Sequence, residues 1–199
     1  SLICDLMLYF TRICYFFTGL LLCACVNTFA LTASFTADHV TGCAPLVVHF
    51  TNLSTGATSY SWNFGSSTPV TLTSPSWTFA SPGTYPVTLT ASDGTSTATF
   101  TDTIRVYDTP SVYFRADTAV CVGATVHFYD SSILRTPGSG SYYWQLAPGI
   151  TSTSQNPTYN YSSSGFYTIT LTTTNSEGCQ SVGRKTNYVH VYDPTSAGF

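Results

Sequence analysis

The chain is written twice, and that duplication limits its fold more than any other feature. Val48-His49-Phe50 returns as Val126-His127-Phe128, 78 residues later. Tyr60, Trp62 and Phe64 return as Tyr142, Trp144 and Leu146, and Gly83-Thr84-Tyr85-Pro86-Val87-Thr88-Leu89-Thr90 as Gly165-Phe166-Tyr167-Thr168-Ile169-Thr170-Leu171-Thr172, both at an offset of 82. Val106-Tyr107-Asp108 returns as Val191-Tyr192-Asp193 at 85. The offset changes only between blocks, so insertions fall in connections while the blocks themselves are held fixed. Whatever the fold is, it must close within about eighty residues and be made twice.

Inside each block, large apolar residues alternate with small polar ones. In the first copy Val48 and Phe50, Tyr60, Trp62 and Phe64, Tyr85, Val87 and Leu89, and Ile104 and Val106 each share one side of a strand. Val126 and Phe128, Tyr142, Trp144 and Leu146, and Tyr167, Ile169 and Leu171 do so in the second. One buried and one wet face is the pattern of antiparallel sheets stacked as a sandwich. About seven such strands per copy, punctuated by Gly, Pro, Ser and Asp, predict an all-β chain of two tandem immunoglobulin-like sandwiches, 31–108 and 109–193. Asp193-Pro194-Thr195-Ser196-Ala197-Gly198-Phe199 repeats the Asp, Ser and Phe spacing of Asp108 to Phe114, so 194–199 is read as the start of a further repeat or a tail. As a tail it is a candidate strand for another subunit's open sheet edge.

Ahead of the first copy, Met7 leads into one positive charge at Arg12, an apolar run from Ile13 to Val26, and small Thr28 and Ala30 placed for a cut after position 30. This is the layout of a secretory signal peptide over residues 1–30, translated from Met7. Two other readings of the run stand beside it. An uncleaved anchor is one, although about fourteen apolar residues fall short of the roughly twenty a spanning helix needs. A lipoprotein-type box at Leu22-Cys23-Ala24-Cys25, lipidated at Cys25, is the other. Only through this leader is membrane contact expected. Nucleic acid is set aside, because six Lys plus Arg and a net charge of −3 cannot neutralise a phosphate backbone.

The stretch Ser59-Tyr-Ser-Trp-Asn-Phe-Gly65, then Ser74-Pro-Ser-Trp-Thr-Phe79, then Ser81-Pro-Gly-Thr-Tyr-Pro-Val-Thr-Leu-Thr-Ala-Ser-Asp-Gly94 resembles a PKD (polycystic kidney disease) domain, whose pattern is a W-D-F-G-D-G turn, an aromatic strand and a P-G-x-Y-x-V-x-L strand. The second copy resembles it more loosely, and the match spans about residues 32 to 193. The opening Gly42-Cys-Ala-Pro-Leu46 is similar to PKD repeats in secreted and surface proteins of Bacteroidota-type bacteria. The resemblance implies extracellular, non-catalytic adhesion or spacer modules. Both copies depart from the acidic turn, with Asn63-Phe64-Gly65-Ser66-Ser67 and Gln145-Leu146-Ala147-Pro148-Gly149. Without those carboxylates a calcium ion finds few ligands.

Cys4, Cys14, Cys23 and Cys25 fall in the leader. Cys43 and Cys121 hold matching positions, and only the second copy has a further cysteine, Cys179. Export permits disulfides, and Cys121–Cys179 is the expected bond, leaving Cys43 as a small buried hydrophobe. His49, His127 and His190 are read as outward-facing on strands and His39 as a turn residue, without zinc-site spacing. No nucleophile elbow, phosphate loop or dinucleotide fingerprint is present. Neither an enzyme, a metal nor a cofactor is expected.

Two features are candidates for binding. Trp77 and Tyr159 share one equivalent position and Tyr107 and Tyr192 another, as rings able to stack on sugars; ordinary sandwich packing is the competing explanation. Thr103 and Thr118 lie in acidic-Thr sequences of the kind such bacteria O-glycosylate, and Asn52 and Asn160 fit the N-linked acceptor pattern, matches short enough to arise by chance. Three roles follow: an adhesion or spacer array at the cell surface meeting surface proteins or polysaccharide, a binding accessory of a secreted hydrolase, or a filament subunit self-associating through edge strands.

Overall fold

The computed structural model describes residues 30–65 and 68–193. The leader with Arg12 and Cys25, the 194–199 segment and Ser66-Ser67 of the first turn lie outside the described residues. Within them the chain is all strand, turn and loop, with no helix. Contacts divide it into two compact units, with Thr41–Leu46 and Phe79–Gly83 grouping with the residues from Val106 onward.

The first copy holds β1 (Phe35–Ala37), β2 (Thr41–Cys43), β3 (Leu46–Asn52), β4 (Ser59–Asn63), β5 (Ser76–Phe79), β6 (Gly83–Ser92) and β7 (Thr97–Tyr107). They form a three-stranded sheet ordered β1-β3-β5 and a four-stranded sheet ordered β2-β7-β6-β4. The second copy holds β8 (Phe114–Ala116), β9 (Ala119–Cys121), β10 (Thr125–Asp130), β11 (Ser141–Ala147), β12 (Ile150–Ser152), β13 (Thr158–Asn160), β14 (Gly165–Thr174) and β15 (Gln180–Tyr192). Its sheets run β13-β10-β8 and β12-β11-β14-β15-β9. Each strand of the first copy therefore has a counterpart in the second, and β12 is the addition. Gly149, at φ 76°, turns the chain back after Pro148 so that β12 pairs with β11, a conformation that L side chains disfavour.

The two cores are built alike around a tryptophan. Trp62 is fully buried, with its ring 5.1 Å from Phe35, 5.6 Å from Phe50 and 6.0 Å from Phe64. Trp144 is equally buried, 5.2 Å from Phe114 and 5.7 Å from Phe128. Val48, Val87 and Leu89 close the first core, and Val126, Leu146, Ile169 and Leu171 the second. Tyr60, Tyr85, Tyr142 and Tyr167 are half-buried at the margins, where the hydroxyl can stay near water. Tyr161 is the buried exception, donating its hydroxyl to Leu146 O at 2.8 Å.

Polar satisfaction separates the copies. The Trp62 indole N–H donates to Leu72 O at 2.9 Å. Trp144 Nε1 and Thr173 Oγ1 are buried without a hydrogen-bond partner among the described residues, and Thr173 stands where the first copy has Ala91.

The expected Cys121–Cys179 bond is corrected by the structure. Cys179 is bonded to Cys43, with a Cα separation of 5.6 Å, and Cys121 is free and exposed. Both bonded cysteines fall in the second compact unit. The reason lies in the length of β15. Cys179 immediately precedes its first residue, whereas Cys121 is paired with Tyr192 at its last. At about 3.3 Å per residue the two ends stand roughly 35–40 Å apart, and a disulfide needs Cα atoms within about 7 Å. Cys43 is therefore not the lone thiol that its position in the sequence suggested.

Candidate binding face

The histidines on β3 and β10 are structural clamps. Asp38, just after β1, accepts the backbone N–H of His49 at 2.8 Å, and its other oxygen lies 2.9 Å from His49 Nδ1. Asp117, just after β8, uses a single oxygen, Oδ2, which accepts the His127 backbone N–H at 2.9 Å and lies 3.1 Å from His127 Nδ1. His39 Nδ1 lies 3.3 Å from Asp38. Among the described residues no three His, Cys, Asp or Glu side chains converge as a metal site.

These clamps carry a pH signature. The His49 backbone N–H, ahead of the ring contacts, draws the Asp38 carboxyl down from 3.8 to about 2. The His127 N–H lowers Asp117, and the Ser96 N–H lowers Asp93. A carboxylate with a depressed folded pKa stabilises the fold above its unfolded value and loses that contribution as pH falls through the folded one. Melting followed by circular dichroism is thus expected to show Tm falling between about pH 4 and 2, and falling less steeply in Asp38→Asn. An unchanged slope in that variant would refute the role of the clamp.

The outward face of the five-stranded sheet of the second copy carries the chemistry best suited to a partner. The register aligns Tyr143 with Thr172 and Val182, Gln145 with Thr170 and Arg184, and Phe166 with His190. Phe166 is 61% exposed, Tyr143 52% and Tyr192 47%. The His190 ring stacks on Phe166 at 4.0 Å and meets Tyr192 at 3.9 Å, giving a continuous aromatic row. Beside it lies a depression of about 490 Å³ lined by Gln145, Pro148, Phe166, Thr168, Thr170 and Arg184.

The depression has a local cause. The β14–β15 register shifts between Tyr167 and Ile169, leaving Thr186, Asn187 and Tyr188 of β15 opposite Thr168 alone. Asn187 takes φ 52°, a conformation asparagine tolerates, and its N–H donates to Thr168 Oγ1 at 3.2 Å. Such a bulge bends its strand and re-aims neighbouring side chains, here separating the Arg184 row from the Phe166–His190 row.

The first copy acts as an internal control. At the positions of Tyr143, Phe166 and His190 it has Ser61, Thr84 and Arg105. Its sheet forms with two hydroxyls and a guanidinium there, so the fold does not require aromatics at these sites.

Of the sequence-named rings, only Tyr192 lies on this face. Trp77 is half-buried and stacked 4.7 Å from Phe64, and Tyr159 is half-buried with its ring 4.8 Å from Tyr161. Tyr107 is half-buried as well. Thr103 and Thr118 are exposed. Asn52 accepts the Ser54 N–H at 2.9 Å, and Asn160 Nδ2, the atom a glycan would join, donates to Gly123 O at 3.1 Å. Sequence reasoning missed Phe166 and Tyr143 as surface rings, although the exchange of hydroxyl for aromatic between copies marks both.

The profile of the PKD domain matches this chain at residues 31–107 and again at 107–191. Among solved structures, the PKD1 domain of the Vibrio cholerae metalloprotease PrtV is 30% identical, over 41% of this chain and 98% of that one, with a TM-score of 0.35. The PKD1 domain of Vibrio anguillarum Epp is 28% identical, over 42% of this chain and 96% of that one, at 0.36. A Methanosarcina mazei protein is 32% identical, over 51% of this chain and 65% of that one, at 0.35. The chain belongs to the PKD domain family and carries two of its modules in tandem.

Proposed function

We propose that the chain is a non-catalytic, extracellular pair of adhesion or spacer modules that meets a glycan partner through the outward face of its second copy. The carrying observation is the exposed row Phe166–His190–Tyr192 beside Gln145, Thr170 and Arg184, in which Phe166 stands where the first copy has Thr84 and His190 where it has Arg105. Aromatic planes offer an apolar face to a sugar ring while the neighbouring amide, hydroxyls and guanidinium hydrogen-bond its substituents. Family membership supports an extracellular setting, and so does the disulfide, which persists in oxidising compartments.

A glycan array probed with the purified chain tests the reading. Binding is expected to fall about tenfold or more in Phe166→Ala, equivalent to about 1.4 kcal/mol, and to be unchanged in Thr84→Ala. Absence of any glycan binding, or equal loss in both variants, would overturn it.

A further inference from the structure

The pairing of Cys43 with Cys179 gives Cys121 a meaning its sequence position does not. Cys43 and Cys121 occupy the same local frame. In the first copy Arg105 N donates to Val40 O at 2.9 Å and Ala44 N to Tyr107 O at 2.9 Å, fixing the strand that ends at Cys43. In the second copy His190 N donates to Thr118 O at 2.8 Å and Val122 N to Tyr192 O at 2.9 Å, fixing the strand that ends at Cys121. Each bond has its counterpart, so the two thiols leave equivalent short strands in equivalent register. One of these thiols is bonded and the other is free.

The difference lies in the partner turn. Cys179 sits in the β14–β15 connection, which Asn175 shapes by accepting the N–H groups of Glu177 and Cys179 at 3.1 and 2.9 Å and donating its own N–H to Cys179 O at 3.0 Å. Asn175 is almost fully buried, and its amide Nδ2 donates to Asp108 O at 2.9 Å, in the connection between β7 and β8. The corresponding turn of the first copy is shaped by Asp93, which accepts the N–H groups of Thr95 and Ser96 and donates its own to Ser96 O. Ser96 therefore stands where Cys179 does, and Asp93 where Asn175 does. The first turn has no thiol, and its carboxylate has no N–H to give a carbonyl. A strand cysteine is present in both copies, whereas the turn that receives it is present only in the second.

We propose that Cys121 is a covalent docking site for a further repeat of this kind, one whose β14–β15-type turn carries a cysteine and an asparagine as the second copy does. The rule read from Cys43 and Cys179 is that the strand cysteine of one copy is bonded to the turn cysteine of the copy that follows it in sequence. Applied to Cys121, it names the ligand as the turn thiol of a following β-sandwich. Bond formation removes two protons and two electrons from the two thiols. A disulfide-bearing exchange partner accepts them and leaves as two thiols. The proposal rests on the cysteine pairing and not on the glycan reading, although Cys121 pairs in register with Tyr192 of the aromatic row.

The test continues the chain after Asp193, in place of 194–199, with a second copy of residues 109–193 whose strand cysteine is replaced by serine and whose turn peptide is given a distinct mass by one conservative exposed substitution, reproducing the Asp108-Thr109 junction. The protein is made in an oxidising compartment, alkylated without reduction, digested and mapped by mass spectrometry. Two linked peptide pairs are expected: Cys43 with Cys179, and Cys121 with the turn cysteine of the added copy. Alkylation of Cys121 should drop at least about tenfold against the unextended chain, and return when the added turn cysteine is replaced by serine. Cys121 fully alkylated while Cys43–Cys179 is formed would overturn the proposal, as would Cys121 bridging two separate chains. Failure of Cys43–Cys179 to form would overturn the pairing rule behind it. Far-ultraviolet circular dichroism of each variant checks that its sheets are intact.

Discussion

Truncating Trp62 or Trp144 to alanine is expected to cost about 3–5 kcal/mol in either case, the range for removing a buried tryptophan. A single small domain has only about 5–15 kcal/mol in total, so each variant should leave its own copy barely folded at room temperature. Both side chains are fully buried. Both stand among phenylalanines at matching positions, Phe35 and Phe50 in the first copy and Phe114 and Phe128 in the second. Rings fixed on strands cannot collapse far into the space left, which places the cost at the upper part of the range. Phenylalanine at the same sites separates packing from hydrogen bonding. Trp62→Phe loses the bond to Leu72 O, whereas Trp144→Phe removes a buried donor without a partner among the described residues. Trp62→Phe is therefore expected to cost about 1–2 kcal/mol more than Trp144→Phe. Urea unfolding followed by far-ultraviolet circular dichroism reads both comparisons. Alanine variants that lose less than about 1 kcal/mol would contradict these cores.

The strands and the tryptophan-centred cores were legible because they obey local rules. A strand buried on one side must place its large residues two apart, and the same constraint acting on two copies leaves the same pattern twice. Val48, Phe50 and Trp62 could be named from spacing alone. Partners that depend on where strand ends come to lie are another matter. Cys121 and Cys179 belong to one copy, yet β15 separates them along its whole length, while Cys43, 136 residues away, is the neighbour. No local pattern encodes that distance. Surface rings, by contrast, were within reach of the local pattern. Trp77 and Tyr159 stand two residues before the buried Phe79 and Tyr161, so the alternation places them on the inward side, where they pack on Phe64 and Tyr161. Phe166, the second residue of β14, aligns in the repeat with Thr84, which already showed that no ring is needed there.

Removing the Cys43–Cys179 bond is expected to lower stability by about 2–5 kcal/mol. The bonded residues are 136 apart in sequence, and the chain-entropy argument assigns about 4.7 kcal/mol to a closed loop of about a hundred residues. That figure is a ceiling, because it treats the whole loop as unfolding at once. Chains with two compact units can unfold in stages, and a loop that is still partly folded has less entropy to lose. The informative variants are Cys43→Ser, Cys43→Ser with Cys179→Ser, and Cys121→Ser, each compared by urea unfolding under oxidising conditions. The first two break the same bond and should share most of the loss. Any excess in the double variant reports the hydroxyl placed at Cys179, which is fully buried, at a cost of about 1–3 kcal/mol. Cys121→Ser changes an exposed free thiol and should stay within about 0.5 kcal/mol of the parent. If Cys121→Ser instead loses as much as Cys43→Ser, both thiols are engaged in the parent chain and the pairing described here is wrong. Reductant added to the parent should reproduce the Cys43→Ser loss and leave the Cys43→Ser variant unmoved, which ties the effect to the bond and not to the residue.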